Sequence, residues 1–571
     1  MFVERLKEEV YDVIFEQRIL VLVAMDVDAL CACKILKWLF KCDNIQYTLV
    51  PASGKEDLAR AYLEHAEQIK HIFLVNCGGN INLLETLEPD EDVTFYIADS
   101  HRPLDLDNIY NQDQVKILMK EGETLEVPDF DDIYAQSEVQ LMGNESDEGS
   151  EPSNKRRKTE DGIIAIIGMK IMIKNNRDIL SHCRQEILYR YHEFAFYGTS
   201  CSVLMYELAW KMSKDCNDLL WWAAVGLTDQ YINERIDSEK YVSDAESLHE
   251  HVMRHNHGAD ENGVSINCMK ITFDYELRLA LYRHWSLFDS IWHSHYTACR
   301  FRVWTMKGKQ KLHEFLADMG VPLVQSRQTF SNMDVQLRNN LKEWVETSAQ
   351  KFGMEEMSYG SFNVQYGFRN KLCSSDVVHA VNALLESPSL LALQSDESKS
   401  EKFLDALDAL SRSNSKLLLD GIEMAKKQLI ALVTQVRSLI DMHQVVCAGP
   451  FLYAFLREGT PDLKMFSKPV VLGALARFVL SAYVVMSKNK RAAALPFVLA
   501  APLDAEKGTC LVVGVPPIAD ESRKNFLGRA FELAAEKTKA RSTHDCFDPA
   551  VMEMKSEDKE KFFDALSALL L

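Results

Sequence analysis

Nowhere in the 571 residues do two of the thirteen cysteines form a CxxC pair, which removes the usual signature of a ribbon-type zinc site or a thiol redox centre. Basic charge is also short. Lys and Arg number 64 against 84 Asp and Glu, a net charge of −20, so a general coat for nucleic acid is excluded, while a local basic groove remains compatible with that balance. No uninterrupted apolar stretch reaches the roughly 18 to 20 residues of a membrane span. The opening "MFVERLKEEV" lacks the basic-then-apolar order of a secretion signal. Together these absences predict a reducing, intracellular setting with no membrane anchor. A nucleotide loop is missing too: "PASGKED" at 51–57 lacks the first glycine of a phosphate loop and follows Lys55 with Glu56.

The length predicts two to four domains. In the first hundred residues "ILVLVA" (19–24), "IQYTLV" (45–50), "HIFLVN" (71–76) and "VTFYIA" (93–98) are short, nearly continuous apolar runs, and helix-length stretches separate the first three. Continuous rather than alternating apolar strands predict a parallel sheet covered on both faces, hence an α/β domain. From 121 to 162 the pattern dissolves into thirteen acidic and four basic residues with few large apolar side chains, the composition of a disordered insertion. Within it, Lys155, Arg156, Arg157 and Lys158 form an accessible basic cluster that suits a nuclear import receptor or merely balances its acidic neighbours. Residues 270–440 read as almost wholly helical, with apolar residues at three-and-four spacing. Strand signals return in "PFVLAAP" and "TCLVVGVPP", followed by the helix "FLGRAFELAAEKTK".

The first strand empties into "MDVDALCACKIL", placing Asp26 and Asp28 at the carboxyl end of the sheet and the start of a helix. Open parallel sheets bind ligands outside those ends. "IADSHRP" puts Asp99 and His101 at another strand end, and "AAVGLTDQ" offers Asp229. Four Asp and one His are good ligands for hard and borderline cations, and crowding them without a cation is costly through like-charge repulsion.

This set resembles the DHH phosphoesterase superfamily, which includes the RecJ exonucleases. The superfamily's first motif, DxDA, matches Asp26 and Asp28 in "MDVDA"; its strand-end Asp before Gly falls on Asn76 in "LVNCGG"; its Asp-His-His falls on Asp99, Ser100 and His101; and its final Asp falls on Asp229. "YGTS" at 197–200 is similar to the Gly-containing stretch that opens the family helix before that last Asp. The resemblance implies that Asn76 and Ser100 occupy ligand positions without being able to serve as ligands. The catalytic role is therefore expected to be lost, with no cofactor and no bound metal. The superfamily's Gly-Gly-His is missing as well, since the single Gly-Gly here is Gly78-Gly79.

Over the whole chain, through "CKILKWLFKCDNIQYTLVP", "WWAAVGLTDQ", "HWSLFDSIW", "GPFLYAFLREGTPD" and "KNFLGRAFELAAE", the sequence resembles the cell division control protein 45 family of replication factors within that superfamily. That resemblance implies a degenerate DHH-like α/β domain over 1–260 containing the acidic insertion, a helical partner-interaction domain over 261–440, and a smaller DHH-associated α/β domain over 441–571. It further implies a nuclear protein that joins the minichromosome maintenance (MCM) hexamer and GINS in the replicative helicase called CMG, with DNA polymerases and loading factors as further partners and single-stranded DNA as a ligand. Residues 163–190 depart from the family in being more apolar than the Arg-rich helix implied there. The rival readings are an active manganese-dependent single-strand phosphodiesterase or exonuclease, and a nuclear adaptor without DNA contact.

Other constellations read more simply. His249, His251, His255 and His257 offer an i, i+4 pair for zinc, but without HExxH order or a nearby cysteine they are expected to be a solvated helix end. Cys31, Cys33, Trp221 and Trp222 are expected to be core residues.

Overall fold

The computed structural model describes residues 1–66, 68–134, 182–257, 269–366, 371–387, 396–520 and 522–571. The import candidate Lys155–Lys158 and the segment 163–181 lie outside the described residues. Residues 1–121 and 195–571 pack as one compact unit, and 122–194 form a second. In that second unit residues 130–134 and 182–192 are helical, so the expected disorder does not extend to 130–134. There Phe130 stacks on Tyr134 at 4.9 Å and the Arg184 guanidinium lies 6.0 Å from the Tyr134 ring centre.

The first sheet of the large unit takes β1 (Phe2–Val3), β2 (Arg18–Ala24), β3 (Gln46–Ala52), β4 (His71–Val75), β5 (Thr94–Ala98) and β7 (Val115–Leu118). β6 (His101–Arg102) leaves it to pair antiparallel with β8 (Phe196–Tyr197). All pairings in the six-stranded sheet are parallel, in the order β1-β7-β5-β4-β2-β3. Six of the seven β2 residues are buried, the pattern of a strand covered on both faces. Helices α1 (Val27–Cys42), α2 (Lys55–His65), α3 (Cys201–Lys211), α4 (Asn217–Ile232) and α5 (Ser238–His257) follow; α1 packs on both α3 and α4. The strand order reverses direction between β2 and β4, and the ends of these two strands carry Asp26 and Asn76.

Residues 270–440, read as almost wholly helical, contain a sheet. β9 (Met269–Leu277) and β10 (Ser358–Tyr366) pair antiparallel over nine residues, and β11 (Leu372–Cys373) adds to β10. "MKITFDYEL" and "SYGSFNVQY" are rich in β-branched and aromatic residues that suit a half-buried pleated surface. Helical spacing on either side masks these two short runs. The helices around them include α6 (Met306–Asp318), α7 (Val335–Lys351), α8 (Ser374–Leu385), α9 (Asp396–Ala409) and α10 (Ser415–Asp441). α8 packs against both α4 and α10.

The last sheet is mixed: β12 (Val446–Cys447), β13 (Leu452–Phe455), β14 (Phe497–Asp504), β15 (Thr509–Val515), β16 (Ser542–Thr543) and β17 (Val551–Lys555), in the order β12-β13-β14-β15-β17-β16. Only β13 and β14 run parallel. Between β13 and β14 comes α11 (Pro469–Met486); after β15 come α12 (Leu527–Thr538) and, last, α13 (Lys559–Leu570). α12 and α13 close one apolar core with Phe451, Val498 and Val512. α11 starts with Pro at its first helical position, where a missing N–H costs nothing. Among the described residues it alone is long and apolar enough to cross a membrane by length and composition. In this fold it is a core helix: Leu472, Leu475, Val479 and Leu480 sit in one cluster with Leu499, Leu511 and Val436.

Candidate functional site

The strand ends of the first sheet gather the sequence-predicted residues, but their polar atoms are already engaged. Asp26 caps α1, its Oδ1 accepting from Ala29 N at 2.9 Å, the ordinary role of an Asp before a helix. Its other oxygen, Oδ2, accepts from Asn76 Nδ2 at 2.8 Å. Asn76 follows β4 with φ 54°, a left-handed conformation that Asn tolerates. Its Oδ1 accepts from Ser100 N at 3.1 Å and from Ser100 Oγ at 2.6 Å. Asp26, Asn76 and Ser100 therefore form one closed chain of donors and acceptors.

Asp28 is fully buried in the first turn of α1. Its carboxylate receives Ser200 Oγ at 2.6 Å, Cys201 N at 2.9 Å and Ser202 N at 3.0 Å, so it serves the start of α3, a favourable place for negative charge. Burial pushes its pKa up and the charge of Asp26 adds to this, while the two serines pull the other way. α4 passes close by. A Cβ on Gly226 would meet Ser202 Oγ at 2.1 Å and Asp28 Oδ1 at 2.6 Å.

Asp99 and His101 form a second pair. Asp99 Oδ1 accepts from His101 N at 2.9 Å and lies 2.7 Å from His101 Nδ1, and its Oδ2 accepts from Gly79 N at 2.7 Å. Burial opposes both charges but is outweighed by their pairing: Asp99 is held below, and His101 above, its ordinary pKa. The His101 ring lies 5.1 Å from that of Tyr197.

Asp229 is buried near the end of α4. It accepts from Asn233 Nδ2 at 2.8 Å, Asn382 Nδ2 at 3.2 Å and Arg235 at 3.1 Å. Burial pushes its pKa up to about 7, against the pull of Arg235 and with a push from Asp26 and Asp28. The Arg235 guanidinium also lies 5.1 Å from the Tyr197 ring centre. Its pKa is raised: burial alone would lower it, but the neighbouring Tyr197 hydroxyl and the carboxylates of Asp229 and Asp26 prevail. A fixed cation thus already stands among these carboxylates.

These residues do not fit the divalent cation that the DHH resemblance implies. Two of the acids, Asp28 and Asp229, are spent on a helix start and a guanidinium, and Asn76 and Ser100 are neutral and bound to each other. Among the described residues no three His, Cys, Asp or Glu side chains gather as metal ligands.

A cavity of about 410 Å³ opens over the strand ends. Asp26, His101 and Tyr197 line it together with Lys399, Lys468 and Arg477 and with the acids Glu234, Glu386, Asp545 and Asp548, so groups of both signs face the strand ends.

Compared with known proteins, the chain matches the CDC45 family model over residues 19–163 and 132–569. It is 49% identical to the human cell division control protein 45 homolog, covering 100% of both chains. The chain belongs to the CDC45 family. The homolog of Schizosaccharomyces pombe is 32% identical, with 95% of each chain covered. Among solved structures, CDC45 from Entamoeba histolytica aligns over 100% of both chains with a TM-score of 0.71 at 23% identity, which shows the shared fold. Exonuclease RecJ bound to manganese aligns over 97% of this chain and 90% of its own, with a TM-score of 0.41 at 13% identity.

Within this CDC45-type fold the other motifs find separate roles. The N–H groups of Lys55 and Glu56 in "PASGKED" donate to Asp545 O at 2.9 Å and to its Oδ1 at 2.8 Å, so a carboxylate from the last sheet region fills that helix start. The histidine run is packed, contrary to the solvated end expected. His249 faces Phe273, His251 stands edge-on to Trp210 and Tyr206, and His255 lies 2.9 Å from Asp215. His257 lies where side chains are not described. Cys31, Cys33 and Trp221 are buried; Trp222 is partly buried and donates to Leu410 O at 3.1 Å. Sequence reasoning missed Arg235, whose only local signal is a lone Arg six residues after Asp229, and Arg477, which interrupts an apolar helix.

Proposed function

We propose that this chain acts in DNA replication as a non-catalytic subunit of the replicative helicase, bridging the MCM hexamer and GINS, with the cavity over the strand ends available to single-stranded DNA. The observation that carries the reading is the full-length identity of 49% to the human CDC45 homolog. The spent carboxylates at the strand ends agree with it, because phosphoryl transfer by two cations needs those cations about 4 Å apart on a shared set of open ligands. In this reading the energy for unwinding comes from an ATPase partner.

The test is reconstitution. The purified chain, mixed with MCM hexamer and GINS, should elute with them as one species whose unwinding depends on its presence; elution apart from both would overturn the bridge. Labelled single strands incubated with the chain and Mn²⁺ or Mg²⁺ should stay intact. Cleavage that disappears in Asp28→Ala would establish the rival phosphodiesterase. Single-strand binding should weaken steeply with salt and exceed duplex binding. Nuclear import is assigned to Lys155–Lys158, and replacing all four by Ala should leave the protein in the cytoplasm.

A further inference from the structure

Arg477 sits in the middle of the apolar helix α11, and its side chain lines two neighbouring cavities. One is the cavity at the strand ends; the other has a volume of about 1160 Å³ and is walled in part by Tyr231, Tyr296 and Tyr359. Arg523 lines both as well. Among the described residues the Arg477 guanidinium makes no hydrogen bond and no ion pair. The acid whose charge acts on it most, Glu234, is engaged elsewhere, 3.0 Å from Arg523 and 3.7 Å from His295.

The comparable arginines of this unit are paired. Arg283 lies 2.7 Å from Glu276 and Arg235 lies 3.1 Å from Asp229, and both have raised pKa values despite burial. For Arg477 burial prevails and the pKa is lowered. Arg477 is partly buried, and its guanidinium faces the open space of the two cavities instead of a protein acid, where an anion can meet it. Gly473, one turn earlier, leaves the guanidinium uncovered on that side, with Nη1 3.6 Å from where a Cβ would stand. The N–H groups at the start of α11 are already taken, since Glu386 accepts from Val470 N and Val471 N at 3.0 and 2.8 Å.

We propose that Arg477, with Arg523 on the same cavity walls, holds the phosphate group of a small ligand where the two cavities adjoin. Guanidinium forks match the paired oxygens of phosphate, and enclosed spaces of this size are those that take small ligands. The site lines the cavity that the single-strand reading uses and so deepens that reading; phosphate and mononucleotide binding are read without any strand, and strand binding is measured separately, so the two can fail apart.

The test uses the full-length chain and three probes at matched ionic strength in chloride: inorganic phosphate, pyrophosphate and thymidine monophosphate. Calorimetry should detect saturable binding of at least one, weakened about tenfold or more in Arg477→Met, as expected for a lost charge-assisted pair. Arg477→Met should melt no lower than the parent without ligand. Should it fail to fold, Arg477→Lys, which keeps the charge but loses the fork, carries the same test with a smaller loss. Tighter binding of the nucleotide than of pyrophosphate assigns the ligand to nucleotides, and equal binding assigns it to free phosphates; both sustain the site. No saturable binding of any probe, or affinity in the variant within about twofold of the parent, overturns it.

Discussion

Asn76 donates its amide N–H to Asp26 across 2.8 Å, at the point where the parallel sheet reverses its strand order. A carboxylate at position 76 would need a cation to stand that close to Asp26; an amide supplies the attraction itself, and its oxygen is left to accept from Ser100 at 2.6 Å. Asn76 and Ser100 are therefore complementary. Each gives the other a hydrogen-bond partner at the strand ends.

Asn76→Asp should lower stability by about 2–4 kcal/mol, since it removes a buried donor and opposes two carboxylates. Ser100→Ala should cost about 1 kcal/mol. In the double variant Asn76→Asp, Ser100→His, added Mn²⁺ should recover part of the loss, because binding to the folded state alone is stabilising. Urea unfolding with and without Mn²⁺ measures all three. An Asn76→Asp chain as stable as the parent would remove the argument that the amide stands in for a cation.

Arg235 and Asp229 should behave as a coupled pair. Arg235→Met leaves a buried carboxylate without its cation and should cost about 3–5 kcal/mol, whereas adding Asp229→Asn should restore much of that. A double-mutant cycle in chemical denaturation reads the coupling directly. Additive losses would mean that the guanidinium acts through Tyr197 and not through the carboxylate.

How much of this was legible beforehand depended on distance along the chain. β2 and β5 and the residues closing them stood out because apolar runs of strand length end abruptly in Asp, Ser and His. Asn76 and Ser100 were visible as departures, since only a pattern supplied from outside assigns a ligand role to those positions. The bonds from Ser200 and Ser202 to Asp28, more than 170 residues away in sequence, were not legible, because spacing along a chain carries no information about such closures. β9 and β10 were hidden for a different reason: nine-residue strands inside a long helical stretch lose to the stronger periodicity around them.

Gly226→Ala should destabilise although it lies inside α4, where the same change ordinarily gains about 1 kcal/mol. The added methyl would press on Ser202 Oγ and Asp28 Oδ1, and overpacking of this kind costs about 1–3 kcal/mol. Thermal melts decide the sign. A higher midpoint in Gly226→Ala would show that α4 can move away from α3 freely.

Glu386 supplies a pH dependence that differs in sign from the usual paired carboxylate. Burial pushes its pKa up to about 7, against the pull of the Val470 and Val471 N–H groups and of Lys468 and Arg235. Its ordinary value is 4.5. Between about pH 4.5 and 7 the folded chain keeps a proton here that the unfolded chain has released. The unfolded state thus binds fewer protons, and the contribution of this group to stability falls as pH rises, levelling off above about 7. The full span corresponds to about 3 kcal/mol. Glu386→Gln cannot titrate, so its stability relative to the parent should improve from pH 5 to about pH 7 and level off above that, whatever other groups contribute to both proteins in common. Denaturant titrations of the two chains across that range measure the difference. A constant offset would mean that Glu386 ionises at its ordinary pKa, and that its bonds to Val470 and Val471 outweigh the cost of burying its charge.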